Sequence, residues 1–245
     1  PYEVEALYTE EYCTPTIVPS EHFNTVTFTG DGSAKSIADV GFEPDLVWWK
    51  NRGNAAWHQL HDSVRGAGNR LFSNSTSATQ YDAQSVTSFD ALGFSIGTSS
   101  DFTGDCVAWN FKAGGAAVSN TDGTITSQVS ANTEAGFSVV SYTGIGPAAT
   151  VGHGLLDTPS VVIVKNRQDS RDWVVWHKDL AASSYLILNS TSAQITDTRT
   201  SGGQPRPFGP FTSTTFGVNI DNETGYTNNY IAYCFAEVEG FSSFG

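Results

Sequence analysis

Apolar and polar positions alternate with period two along much of the chain. Thr25-Val26-Thr27-Phe28-Thr29 alternates strictly, and Phe137-Ser138-Val139-Val140-Ser141-Tyr142 does so in part. Leu46 to Trp49 and Val161 to Val164 are short continuous apolar runs, the pattern of strands buried on both faces. Val, Ile, Thr, Tyr, Phe and Trp fill most of these positions, as a pleated surface favours. Between the runs lie clusters of turn residues: Thr29-Gly30-Asp31-Gly32, Asn120-Thr121-Asp122-Gly123 and Asp221-Asn222-Glu223-Thr224-Gly225. No convincing helix runs longer than about two turns. The pattern predicts an all-β fold of short strands, a sandwich or a barrel.

The chain also repeats itself. Thr25 to Gly32 matches Val139 to Gly146, and Lys50-Asn51-Arg52 recurs as Lys165-Asn166-Arg167 after an equivalent apolar run. Trp57 with His61 recurs as Trp173 with His177. Asn74-Ser75-Thr76-Ser77-Ala78 returns unchanged as Asn189-Ser190-Thr191-Ser192-Ala193, and Val107 to Phe111 corresponds to Ile231 to Phe235. The order is kept, and an insertion containing Gly202, Gly203, Pro205, Pro207 and Pro210 takes up most of the drift in spacing. Each copy has the size of one sandwich, roughly 100 to 120 residues. We expect two tandem β-sandwich repeats, jelly-roll or lectin-like, over residues 23–118 and 119–245. One larger sandwich with two pseudo-symmetric halves is the alternative. Residues 1–22 hold Glu3, Glu5, Glu10, Glu11 and Glu21 with no Lys or Arg, and read as an acidic N-terminal arm with room for a short helix before Pro15.

Composition narrows the function classes. In 245 residues, 25 acids face 12 bases, a formal net charge of −13. Such a chain is repelled by nucleic-acid phosphates and by anionic membrane surfaces, so neither is expected as a partner. No apolar run approaches the ~20 residues of a membrane-spanning helix. Cys13, Cys106 and Cys234 are odd in number and form no C-x-x-C pair, which points to idle or buried thiols rather than a disulfide framework or zinc site.

Candidate chemistry is sparse. Gly93-Phe94-Ser95-Ile96-Gly97 has the spacing of a nucleophile elbow, but no helix pattern follows it, so it reads as a strand. Gly144-x-Gly146-x-x-Ala149 lacks the helix that a dinucleotide loop opens, and reads as a turn. Trp57 and His61, with Trp173 and His177, could each share a strand face and offer a sugar an aromatic platform beside an imidazole; packing pairs are the plainer reading. The loops Asp101 to Asp105 and Asp221 to Glu223 lack the calcium-loop pattern and read as solvated turns. No histidine spacing suits a metal, and no cofactor is implied. Lys50-Asn51-Arg52, Lys165-Asn166-Arg167, Asn74 and Asn189 read as structural repeat positions, with the asparagines pinning loops. No carboxylate pair for glycoside hydrolysis stands out in one dimension. A duplicated module also suits a building unit better than a single asymmetric catalytic site.

The runs Phe23 to Lys50, Ser119 to Ser127 and Ala232 to Ser242 resemble a repeat module common in tailed-phage virion proteins, especially those of marine phages. The resemblance covers nearly everything from Phe23 to Gly245. It implies a lectin-like β-sandwich in a tail fibre or another surface-exposed structural protein, and it brings no catalytic residues. The expectation is a non-enzymatic virion protein on the particle surface: tail fibre, spike or capsid decoration. Its partners would be copies of itself and other virion proteins. A carbohydrate-binding adhesin that recognises host surface glycans is the second reading, and a glycoside hydrolase or depolymerase the third.

Overall fold

A computed structural model describes residues 17–181, 183–201, 204–205 and 207–245. Most of the expected acidic arm, its short helix and Cys13 lie outside the described residues. The first half contributes β1 (Phe23–Asp31), β2 (Lys35–Ile37), β3 (Leu46–Asn51), β4 (Gln59–Asp62), β5 (Asn69–Phe72), β6 (Gln80–Tyr81), β7 (Val86–Asp90), β8 (Gly93–Ile96) and β9 (Thr103–Phe111). The second contributes β10 (Val118–Asn120), β11 (Ser127–Asn132), β12 (Phe137–Thr143), β13 (Ala149–Gly152), β14 (Val161–Asn166), β15 (Trp173–His177) and β16 (Ser184–Ile187). It continues with β17 (Ile195–Thr196), β18 (Thr200–Ser201), β19 (Gln204–Pro205), β20 (Phe208–Phe211), β21 (Thr215–Val218) and β22 (Asn229–Phe235). Two 3-10 turns, Pro19–Glu21 and Ser100–Phe102, are the only helical segments among the described residues. The chain is all-β, as its alternation predicts.

The two halves arrange their strands alike. In the first, β1-β9-β3-β4-β5-β6 form a six-stranded sheet and β2-β8-β7 a three-stranded one. In the second, β12-β22-β14-β15-β16-β17 run in the same order, β11 and β10 continue the sheet beyond β12, and β13-β21-β20 form the small sheet. The registers agree too. Phe111 on β9 lies opposite Phe23 and Leu46, while Phe235 on β22 lies opposite Phe137 and Val161. The repeats of Thr25 to Gly32, of Lys50 to Arg52 and of Val107 to Phe111 therefore occupy matching places. The repeated Thr-Gly has a steric cause in both copies. A Cβ on Gly30 would sit 1.9 Å from the Phe102 carbonyl oxygen, and one on Gly144 would sit 2.1 Å from that of Tyr226.

Three apolar clusters hold these sheets. One lies wholly in the first half and gathers Val26, Val40, Val47, Trp49, Phe94 and Phe102, with Trp49 stacked on Phe102 at 4.1 Å. Its counterpart in the second half gathers Tyr142, Val162, Val164, Phe216, Tyr230 and Ala232. The third joins the halves: Leu46, Leu60 and Leu71 pack against Val139, Trp173, Ile231 and Tyr233. Large side chains sealed this way each contribute roughly 1.5–3 kcal/mol of apolar transfer. The third cluster also encloses a polar knot. Asp62 Oδ2 accepts from Arg65 Nε at 2.6 Å and from the Tyr233 hydroxyl at 2.8 Å, and neither side chain of the ion pair meets solvent.

Candidate functional site

The repeated Lys-Asn-Arg motif ends β3 and β14, and its asparagine does the same work in each. Asn51 Oδ1 accepts from the amides of Gly53 and Asn54, and its Nδ2 donates to the carbonyls of Asp101 and Thr103. Asn166 Oδ1 accepts from the amides of Gln168 and Asp169, and its Nδ2 donates to the Asn222 carbonyl. Each fully buried amide thus closes the turn that leaves its strand and ties it to the loop entering the central strand. Lys50 Nζ donates to the Asn51 and Asn54 carbonyls at 2.5 and 2.8 Å, and Lys165 Nζ to the Asn166 carbonyl at 2.7 Å. Arg52 is exposed, whereas Arg167 is partly buried and donates to Ser141 Oγ at 3.1 Å. Asn74 Oδ1 accepts from the His58 amide at 3.0 Å, and Asn189 Oδ1 from the Trp173 amide at 2.8 Å.

That last pair of bonds corrects the expected match of Trp57 and His61 with Trp173 and His177. Leu46 pairs with Asp62 and Val161 with His177, so the position equivalent to Trp173 is His58, and that of His61 is Trp176. The match by residue type was one position out of step, and one position turns a strand side chain to the other face. Trp57 lies before β4 and is 52% exposed, while His61 is fully buried. His61 Nε2 lies 3.3 Å from Gln59 Oε1 and 3.2 Å from Ser85 Oγ, and burial, then Arg65 and Arg70, hold it well below the usual histidine range. Trp173 is sealed too, its Nε1 donating to the Phe72 carbonyl at 2.8 Å. His177 is partly exposed, with Nδ1 accepting from the Asp179 amide at 3.2 Å. Of the two expected Trp–His faces, Trp57 lies outside β4, and Trp173 shares β15 with His177 but is sealed from solvent.

A different aromatic surface does form. The run Leu46 to Trp49 suggested burial on both faces, but Trp48 is only half-buried. Trp49 enters the first-half core, and period two turns Trp48 the other way, edge-on to Trp109 at 6.2 Å. Trp48, Trp109, Phe111 and His58 line a groove of about 280 Å³. Burial and the neighbouring Lys50 hold His58 below its ordinary value, which favours the neutral ring. A second groove, about 310 Å³, opens between the halves among Pro19, Phe23, Phe111, Phe137, Phe235 and Phe244. Beside it a polar cleft of about 480 Å³ contains His22, Asp45, Lys112 and Glu134. Asp45 is occupied there, accepting from the Ala113 and Gly115 amides and from Ser63 Oγ. Strand alternation alone separates Trp48 from Trp49; the grooves required knowing which sheets meet.

Asp101 Oδ2 accepts from Gln59 Nε2 and Arg70 Nη1, at 2.8 and 3.0 Å. Among the described residues no group of three or more His, Cys, Asp or Glu is placed to hold a metal ion. Ser95 lies within β8 and donates to Asp90 Oδ2 at 2.6 Å, an ordinary strand contact. Cys106 and Cys234 are buried free thiols, pushed up by burial to about 11 and about 12. Burial pulls Lys165 down to about 8 against the opposing pull of Asp172, Asp169 and Glu223. Burial, then the hydrogen bond with Asp221, pushes Glu223 up to about 8. No helix among the described residues is long and apolar enough to cross a membrane.

The family described as a domain of unknown function, DUF7483, matches residues 18–245, and the chain belongs to it. No curated protein and no solved structure matches the chain.

Proposed function

We propose that this DUF7483 chain is a non-enzymatic structural protein of a phage particle. It sits on the particle surface, as tail fibre, spike or capsid decoration, and docks on other virion proteins and on copies of itself. The body is read as two tandem β-sandwiches, residues 23–118 and 119–245, each closing a large sheet over a small one. The observation that carries this reading is the third core. Leu46, Leu60 and Leu71 packed on Val139, Trp173, Ile231 and Tyr233 weld the large sheets back to back around the sealed Asp62–Arg65 pair. A duplicated, doubly cored block resists local opening, as a part exposed outside a cell must. The resemblance of Phe23 to Lys50 and Ala232 to Ser242 to phage virion modules supplies the setting. The test is the protein content of purified particles: the polypeptide is expected in stoichiometric amounts and accessible to antibody, and particles without it would overturn the reading.

One observation favours a second reading, an adhesin for host glycans. The groove of Trp48, Trp109, Phe111 and His58 presents aromatic surface beside a neutral imidazole. Sugar C–H faces stack on such rings, and the imidazole can bond hydroxyls. A glycan array probed with the wild-type chain and with Trp109→Ala decides it, since a real site loses its hits in the variant.

A further inference from the structure

A free sheet edge is a template for another strand, and folded proteins guard their edges. Almost every edge here is guarded. β6 and β17 have two residues each, and β10 has three. β2 carries Lys35, β7 and β20 break register, and β20 includes Pro210. β13 is covered by the Ile125–Val151 bridge and the Thr124–Thr150 contacts. β1 differs: nine residues with no Lys, Arg or Pro, in unbroken register with β9.

The backbone parity of β1 tells which groups are free. The Lys112 amide donates to the His22 carbonyl, and the Gly32 amide to that of Phe102, so even-numbered residues bond towards β9. Phe23, Thr25, Thr27 and Thr29 therefore turn their N–H and C=O groups outward. Lys35 Nζ occupies the Thr29 carbonyl at 2.9 Å. Phe23, Thr25 and Thr27 have no backbone partner on that side among the described residues. In the second half this place is filled: β11 pairs Gln128–Asn132 with Phe137–Ser141. Phe137 to Ser141 corresponds residue for residue to Phe23 to Thr27. The vacancy thus has the length of a ladder already built elsewhere in the molecule, and Lys35 closes its end.

We propose that the Phe23 to Thr27 edge of β1 is a strand-addition site whose occupant is the same strand of a second copy. The pairing is antiparallel about a two-fold axis at Thr25. This rests on the self-association in the proposed function and names its surface. The segment is self-complementary: Thr25 opposes Thr25, Phe23 opposes Thr27, and cross-strand Thr and aromatic pairs of this kind are favourable. It is also uncharged, so two chains of net charge −13 meet where repulsion is least. The apolar groove that begins at Phe23 continues the contact surface.

Sedimentation of the full chain over about 1–100 µM tests it. The wild type should dimerise, and Thr25→Pro, which removes an outward N–H and none bonded to β9, should weaken the dimer at least ~10-fold with its unfolding midpoint little changed. Thr25→Lys is the second variant should the proline impair folding. In a Cys13→Ser background, Thr25→Cys should give a disulfide-linked dimer, while Thr27→Cys, set opposite Phe23, should not. A wild-type monomer throughout, or a dimer indifferent to Thr25→Pro and Thr25→Lys, overturns the proposal. So does a monomer that dimerises only once residues 1–16 are removed, since the chain's own segment then fills the edge. A monomer still incorporated into particles overturns this inference alone, whereas particles lacking the polypeptide overturn the virion reading and leave the dimer measurement standing.

Discussion

Lys50 and Lys165 end equivalent strands and precede equivalent asparagines, yet one is half-buried and the other sealed. The asparagine bonds to the backbone of its own turn and of the next loop, so its task is independent of what packs outside. The lysine's charge is not. Lys50 stays partly in water beside the open groove, while around Lys165 the acids Asp169, Asp172 and Glu223 gather and burial lowers its proton affinity. Duplication preserved what acts on the local backbone and let diverge what depends on the neighbouring layer.

The sharpest way to break this comparison is at the weld between the halves. Asp62→Ala leaves Arg65 buried without its partner and should cost about 3–5 kcal/mol in urea unfolding. Tyr233→Phe removes one hydrogen bond to a charged group and should cost about 1.5–3 kcal/mol. Both should shift a single transition, because the third core couples the halves; two resolved transitions would separate them.

Next in size is pH. Lys165 has a folded value near 8 against its ordinary 10.5, so between these values the unfolded chain binds more protons and stability rises with pH. The gain amounts to about 3 kcal/mol at most. Glu223 acts oppositely: its folded value is raised from 4.5 to about 8, so its contribution is full below 4.5 and is lost as pH rises through 8. Together the two shifts predict that the chain is least stable near pH 8, read in its single unfolding transition. Lys165→Met should flatten the upper limb and Glu223→Gln the lower. Melting measured from pH 4 to 11 reads both.

Smaller effects test the sameness of the halves. Asn51→Ala and Asn166→Ala strand buried amides and carbonyls and should each cost about 1–3 kcal/mol by denaturant unfolding. Asn74→Ala loses one bond to a backbone amide, worth about 0.5–1.5 kcal/mol, and Asn189→Ala loses in addition its Nδ2 bond to Asp172 Oδ1 at 2.7 Å. Asn51→Ala, which strands two carbonyls against one for Asn166→Ala, and Asn189→Ala should each be the costlier member of its pair. The opposite order in either pair would mean that one copy has moved its support elsewhere.

Much of this was legible along the chain. Alternation over Thr25 to Thr29 and turn residues such as Asn120 to Gly123 act on their immediate neighbours, so they reported strands and turns directly. The repeated Asn74 and Asn189 segments located equivalent turns for the same reason. The tryptophans misled. Trp57 and Trp173 agree in type, but the equal turns that follow Asn51 and Asn166 set the register, and they place His58 at the position of Trp173. The candidate grooves were hidden because Trp48, Trp109, Phe111 and Phe235 are apolar on paper whether they face a core or an opening.

By itself the sequence determined that the chain is built of strands and that their order is written twice, because side-chain alternation, turn chemistry and backbone-pinning asparagines are decided within a few residues. Only the tertiary structure decided that the two large sheets meet through a third core, that Lys165 is sealed while Lys50 is not, and that among the described residues β1 lacks the neighbour β12 has. Those outcomes depend on which surfaces come together across more than a hundred residues of chain, and no local pattern specifies that.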